Sequence, residues 1–290
     1  MTRRDAVLLV FLGAVWGAVY PLTSLVLREL SPPAVVAART ALGALLLLPL
    51  AVRRGALAGV RERAGALVVA ALLQATVPLV LLTTGQQHVA AGLAGILVGS
   101  QPVWATLLTV AAERTIHPRE LLGILVGMLG VALLFVRDLD ATGTSMWGGG
   151  LLLAAAFFYG AGSVYIHRRL PDVSPLVTAT AAMTVSAAAL APFAVTAVPP
   201  LPDAATTGWL IVLGVGATGA AQVLFYALIQ QVGAVRANLA AYFAPGFAVA
   251  YGAGFLHDRI TAAALGGLVL ITAGSLLAAP PRQESPTSPR

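Results

Sequence analysis

The side chains with chemistry to offer in this chain are few, and most fall inside long apolar runs. Trp16 and Tyr20 are four positions apart, hence on one face of a helix. A shift of 143 positions carries them onto Tyr159 and Ser163, again four apart. These groups fit two roles, interfacial aromatics anchoring helices among headgroups or the wall of a cavity. Gln74 and Gln222 place amides near the middle of their runs, suited to an interhelical hydrogen bond or to a bound molecule. Asn238 and Tyr242 share a stripe with Pro245, matching a stripe of Gly95, Gly99 and Pro102. Arg39 lies about two turns into its run, too deep for a simple loop charge, although its side chain can snorkel outward. Lining a pathway, it would attract carboxylates. Arg236, near the start of a run, reads instead as a charge that snorkels to the surface. The chemistry of this set is recognition of a small molecule.

Bond-making chemistry has little to stand on. No Asp or Glu lies well inside an apolar run; Glu113 and Asp258 sit at run ends. His88, His117, His167 and His257 are scattered at loop ends without metal spacing. There is no His-Glu-x-x-His, no Gly-x-Ser-x-Gly, no phosphate loop and no cysteine. No catalytic residue, cofactor or metal is expected. The missing carboxylates also argue against proton coupling through an embedded acid. Facilitated diffusion, exchange, or coupling through His88 remain, with His88 better read as an ordinary interfacial histidine.

The elements that must position these residues are membrane helices. The chain is 59% hydrophobic and 10% charged, with a mean hydropathy of +0.90. Soluble domains stand near ~45–50% and ~25%. The apolar runs recur along the whole length and are too continuous for the alternating strands of a barrel. Spans are expected at 6–27, 33–52, 65–86, 89–112, 120–136, 147–167, 175–197, 208–230, 233–256 and 261–279. The basic start resembles a signal peptide, but the first run reads as a retained span. The tail 280–290 reads as disordered.

The offset of 143 reaches far beyond these two pairs. Gly17 matches Gly160, Ser31-Pro32 matches Ser174-Pro175, Pro49 matches Pro192, Pro102 matches Pro245 and Gly123 matches Gly266. Alanine and leucine coincide cheaply in such a composition, whereas prolines and glycines do not. The expectation is an all-α membrane fold of two five-helix repeats, 1–145 and 146–279. Five is odd, so the second copy enters the membrane from the opposite side, an inverted-topology repeat. All 17 basic residues are arginines. With the N-terminus inside, thirteen fall toward the cytoplasm and only Arg28, Arg39, Arg137 and Arg259 outward. Both termini are therefore expected inside. The net charge of +6 reads as this bias and not as a nucleic-acid surface. The smooth fourth span reads as a packing and hinge element, with Pro102 and Pro245 as hinges. The ninth span, with Asn238 and Tyr242, is expected to carry more of the polar recognition.

These ordered motifs resemble a known family. They are Trp16-Gly17, Ser31-Pro32-Pro33 through Arg39, Pro102, Glu113-Arg114 and the glycines Gly123, Gly127 and Gly130. In the second half they are Pro245, Asp258-Arg259, Gly266, Gly267 and Gly274. The set is similar to the drug/metabolite transporter superfamily, in its ten-span EamA-like branch. Ala182 replaces the arginine of the first half, and His257 intervenes before Asp258, so the halves need not contribute equally. The resemblance implies a multi-pass inner-membrane transporter, commonly an exporter of amino acids, related metabolites or drugs. The partners implied are a small-molecule substrate and the lipid bilayer, with a homodimer as an option. A flippase for lipid-like substrates is the alternative, and a membrane enzyme acting on lipid-linked substrates is the rival from another class.

Overall fold

Runs of twenty apolar residues leave the backbone no partner in lipid except itself, so they fold as helices. A computed structural model describes residues 3–114, 117–141, 146–196, 202–238, 240–258 and 260–278, and among these there is no strand. The tail 280–290 and the side chains of Arg236 and Tyr242 lie outside the described part. The helical segments are α1 (Arg3–Val26), α2 (Pro32–Arg53), α3 (Val60–Gly85), α4 (Ala91–Glu113) and α5 (Pro118–Ala141). They continue as α6 (Met146–Arg169), α7 (Pro175–Thr196), α8 (Ala204–Val232), α9 (Ala240–Tyr251, prolonged by Gly252–Leu256) and α10 (Ala262–Ala278). Among the described residues, seven of these are long and apolar enough to cross a membrane. Two shorter apolar helices, Phe243–Leu256 and Ala262–Gly274, follow. Leu45, Phe193, Phe255 and Val269 are among the large apolar side chains exposed on the outside, as lipid-facing residues are.

Prolines mark the irregularities of the first half. The fifth span, expected at 120–136, extends to Pro118–Ala141, and Pro118 starts it because a first turn needs no proline N–H. Pro102 cannot donate to the carbonyl four residues back, and α4 breaks there into Ala91–Val98 and Gln101–Glu113. At the break the bonds shorten to three-residue spacing, Ser100 N to Leu97 O and Val103 N to Ser100 O. In α3, Pro78 follows a π-helical turn over Leu72–Thr76. In α8 a longer π-helical stretch covers Val212–Ala220, which contains the positions 143 after 72–76.

Helix pairing repeats between the halves. The long contacts are α5 with α10, α2 with α7, and α1 with α9. Exchanging the halves turns α1 with α9 into α6 with α4, which also pack together, and α2 with α8 into α7 with α3, which do too. The agreement reaches single residues. A Cβ on Gly17 would stand 2.4 Å from Phe247 Cβ and within 3.1 Å of Ala244 O and Ala248 N. A Cβ on Gly160 would meet Gln101 O, Trp104 Cβ and Ala105 N, the same three positions less 143. Gly13 meets Ala240, Phe243 and Ala244 as Gly17 meets Ala244, Phe247 and Ala248, so α1 and α9 run parallel. Gly274 lies against Gly123 and Gly127 while Gly130 lies against Gly267 and Leu270, so α5 and α10 run antiparallel in backbone contact.

Candidate functional site

The cavity at the junction of the halves holds about 640 Å³ of atom-free space, counted out to its opening. Its walls come from α1 (Trp16, Val19, Tyr20), α2 (Arg39), α3 (Gln74, Leu79, Leu82) and α4 (Val98, Gly99, Gln101). The second half adds Tyr159 from α6, Ala217, Thr218 and Gln222 from α8, and Ala241 and Ala244 from α9. Nothing from α5, α7 or α10 is among the lining residues. No acidic side chain is among them either.

Local structure delivers these groups. Trp16 and Tyr20 are one turn apart on α1, and the Trp16 ring meets Phe225 edge-on at 4.9 Å. Gln74 sits inside the π-helical turn of α3, and Ala217 and Thr218 sit inside that of α8. Each such turn widens the helix by one residue and rotates the side chains that follow it, a feature frequent at functional sites. Gln74 is 2% exposed and rests against Gly162, where a Cβ would come within 2.4 Å of its Oε1. Gln222 is nearly buried and donates from Nε2 to Tyr226 Oη at 3.2 Å, while still lining the cavity. It therefore combines a bond within its own helix with a place in the wall.

Arg39 is 2% exposed, the largest fully buried polar side chain among the described residues. Its Nε and Nη2 donate to Thr218 Oγ1 at 3.0 and 2.8 Å, while Nη1 has no acceptor among the described residues. The side chain does not snorkel to a surface. It spans from α2 to α8 and ties the halves together beside the cavity.

Two expected site residues lie elsewhere. Ser163 and Asn238 are fully buried and bond each other, Asn238 Nδ2 to Ser163 Oγ at 2.7 Å, outside the cavity wall. Asn238 Nδ2 also reaches Ala234 O, Gln101 Nε2 donates to Asn238 Oδ1, and Ser163 Oγ donates to Gly160 O. The node joins α4, α6 and the short helix Ala234–Ala237 that precedes α9. Along α9, the wall residues Ala241 and Ala244 lie between this node and Asp258. Asp258 Oδ2 accepts from Gly92 N at 3.2 Å, capping the first turn of α4 from the other half. The cavity thus has an inter-half hydrogen bond on either side.

Pro102 and Pro245 are buried where α4 crosses the second half, and a Cβ on Gly99 would stand 2.4 Å from Pro245 Cγ. The polar recognition expected of the ninth span rested on Asn238, which lies outside the wall, and on Tyr242, whose side chain lies outside the described part. Here α4 supplies Gln101 to the wall, while α9 supplies Ala241 and Ala244. Sequence reading missed Gln101 and Thr218. Gln101 sits beside Pro102 in the span read as smooth, and Thr218 became visible only through its bond to Arg39, 179 positions away. His88 is exposed at a loop, and among the described residues no His, Asp or Glu cluster has metal-binding geometry.

A solved crystal structure superimposes with a TM-score of 0.71, covering 96% of this chain and 97% of its own, at 18% identity. At that identity the likeness speaks for the fold alone. Two Bacillus subtilis (strain 168) proteins are similar along nearly their whole length. The uncharacterized transporter YoaV is 24% identical over 90% of this chain and 91% of its own. The uncharacterized transporter YvbV is 26% identical over 92% and 89%. The model of the EamA-like transporter family matches twice, over residues 5–136 and 146–279. Two successive matches that leave out little but a short central linker and the tail decide the assignment, and the chain belongs to the EamA-like transporter family of the drug/metabolite transporter superfamily.

Proposed function

We propose that the chain is a secondary transporter that exports small metabolites or drugs by alternating access. In this reading ten spans form two inverted five-helix halves, 1–145 and 146–279, with both termini on the cytoplasmic side of the inner membrane. The observation that carries it is the cavity itself, walled by residues of both halves and flanked by inter-half hydrogen bonds, Gln101–Asn238 on one side and Gly92–Asp258 on the other. Rocking the halves breaks one latch while keeping the other, and access passes from one side to the other. Further support comes from the parallel pairing of α1 with α9 and from the contacts that repeat at an offset of 143.

The roles follow from placement. Trp16, Tyr20, Arg39, Gln74, Tyr159 and Gln222 contact substrate, with Gln101 and Thr218 beside them. Gln101 and Asn238 act as a latch that Ser163 steadies from within the second half, and Pro102 and Pro245 free backbone bonds where α4 and α9 must flex. The orientation is supported by the excess of arginine at the ends of α2, α4 and α6. No enzymatic step is proposed. The test is a metabolite profile of cells with and without the protein. Particular small molecules are expected to rise in the medium as they fall inside, and identical profiles on both sides would reject export.

A further inference from the structure

We infer that the transported molecule is a small organic monoanion, a carboxylate on an apolar or aromatic body, and that Arg39 holds the carboxylate. This rests on the transport reading above and names its substrate class. A guanidinium stays protonated in a protein, so Arg39 places a full positive charge at a site 2% exposed. Such a charge is stable only with an opposite charge or a full set of acceptors. Here it has neither among the described residues. Thr218 Oγ1 takes two of its nitrogens, and a hydroxyl dipole neutralises nothing. Among the described residues Nη1 is left without an acceptor and no carboxylate lines the cavity. Thr218 fixes the guanidinium plane from one edge and leaves the other edge unspent, the arrangement that a carboxylate meets with parallel hydrogen bonds.

The rest of the wall decides the body of the molecule. Trp16, Tyr20, Tyr159, Leu79, Leu82 and Val98 offer rings and aliphatic surface. One cation in an otherwise uncharged wall balances one negative charge. A dianion would bring an excess charge into the membrane interior, and a cation would be repelled.

Purified full-length protein in detergent tests this with three probes of one shape, 3-phenylpropionate, 3-phenylpropionamide and 3-phenylpropylamine, and with inorganic phosphate as a fourth. Binding is read by isothermal titration on the wild type, Arg39→Gln and Arg39→Lys. The carboxylate is expected to bind wild type at least about tenfold more tightly than the amide, the amine or phosphate. Arg39→Gln should erase that preference, and Arg39→Lys should keep part of it. A thermal-melt curve of each variant separates lost recognition from lost fold. If Arg39→Gln does not fold, Thr218→Val serves instead, and it is expected to lower the ratio of carboxylate to amide affinity, because it frees the guanidinium from the hydroxyl that orients it. Wild-type preference for the amide, the amine or phosphate overturns the inference, as does a carboxylate preference that survives Arg39→Gln. Absence of binding by all four overturns it as well. The transport reading is judged separately, by uptake of the same probes into proteoliposomes. Flux of the amide or amine without the carboxylate keeps the transporter and removes the anion site.

Discussion

Asn238 donates to Ser163 Oγ at 2.7 Å with both side chains fully buried, and its carbonyl oxygen accepts from Gln101 of the other half. Hydrogen bonds between membrane helices average about 0.6 kcal/mol and reach about 1.7. Asn238→Ala removes the centre of the node and is expected to lower stability by about 1–2 kcal/mol. Ser163→Ala should act less strongly, because Asn238 keeps Ala234 O. Thermal unfolding in detergent orders the two variants. Equal stability of Asn238→Ala and wild type would deny the node any structural role.

Asp258 is the latch on the opposite side, accepting from Gly92 N. Asp258→Ala and Asn238→Ala should therefore bias access in opposite directions. The chain has no cysteine, so a single reporter needs no background substitution. A cysteine placed at Val19, in the wall, is expected to react faster from one side in Asp258→Ala and faster from the other in Asn238→Ala. A shift to the same side in both variants would separate these contacts from gating.

Close helix crossings give a sharper stability test. Gly17→Ala forces a Cβ to within 2.4 Å of Phe247 Cβ, an overlap that only movement of α9 relieves. Overpacking of this kind costs about 1–3 kcal/mol. Gly246→Ala, with open space around its Cβ, should leave the melting temperature unchanged or slightly raised. Indifference to Gly17→Ala would mean that α1 and α9 are further apart than described.

Trp16 lines the cavity half-buried, braced against Phe225. Trp16→Ala is expected to reduce flux about tenfold or more while the protein still inserts and melts cooperatively. Phe225→Leu, one layer behind, should lower flux less and stability more. Wild-type flux from Trp16→Ala would take α1 out of the recognition surface.

A pH effect is expected at the start of α8. The Asp203 carboxylate accepts from Thr206 N at 2.6 Å, and these bonds to Thr206 hold its pKa below the ordinary aspartate value. A depressed folded-state pKa contributes stability above the unfolded value near 3.8, and that contribution is lost as pH falls through the folded value. Amide exchange at Thr206 should therefore show less protection in acid than at neutral pH, and Asp203→Asn should flatten the dependence. Equal protection at both pH values would contradict the cap.

How much of this the sequence carried depends on the range of the interaction. Gly17 and Gly160 matched at 143 because a crossing without room for a Cβ restricts the residue in both copies, and the structure puts both in equivalent contacts. Trp16, Tyr20 and Tyr159, which line the cavity, stood out in the sequence because side chains able to hydrogen-bond recur four apart at matching positions of two apolar runs. Arg39 was legible as a charge too deep in its run, but its partner was not, since Thr218 looks like any threonine until α8 is folded against α2. The π-helical turn around Gln74 left only Pro78 as a trace, and the one in α8 left no proline at all. Ser163 and Asn238 show the limit from the other side. Polar residues deep in a span announce that they need partners and do not announce whether the partner is a substrate or each other.

The central claim is that one cavity between the halves is open in turn to each side of the membrane. Ala217→Cys, in the wall and in a chain otherwise free of cysteine, tests it directly with an impermeant thiol reagent applied to each face of sealed, oriented vesicles. The account predicts that position 217 is labelled from both faces, and that holding the Gly92–Asp258 or the Gln101–Asn238 latch closed by a cross-link abolishes labelling from one face only. Labelling from a single face, unchanged by either cross-link, would contradict it.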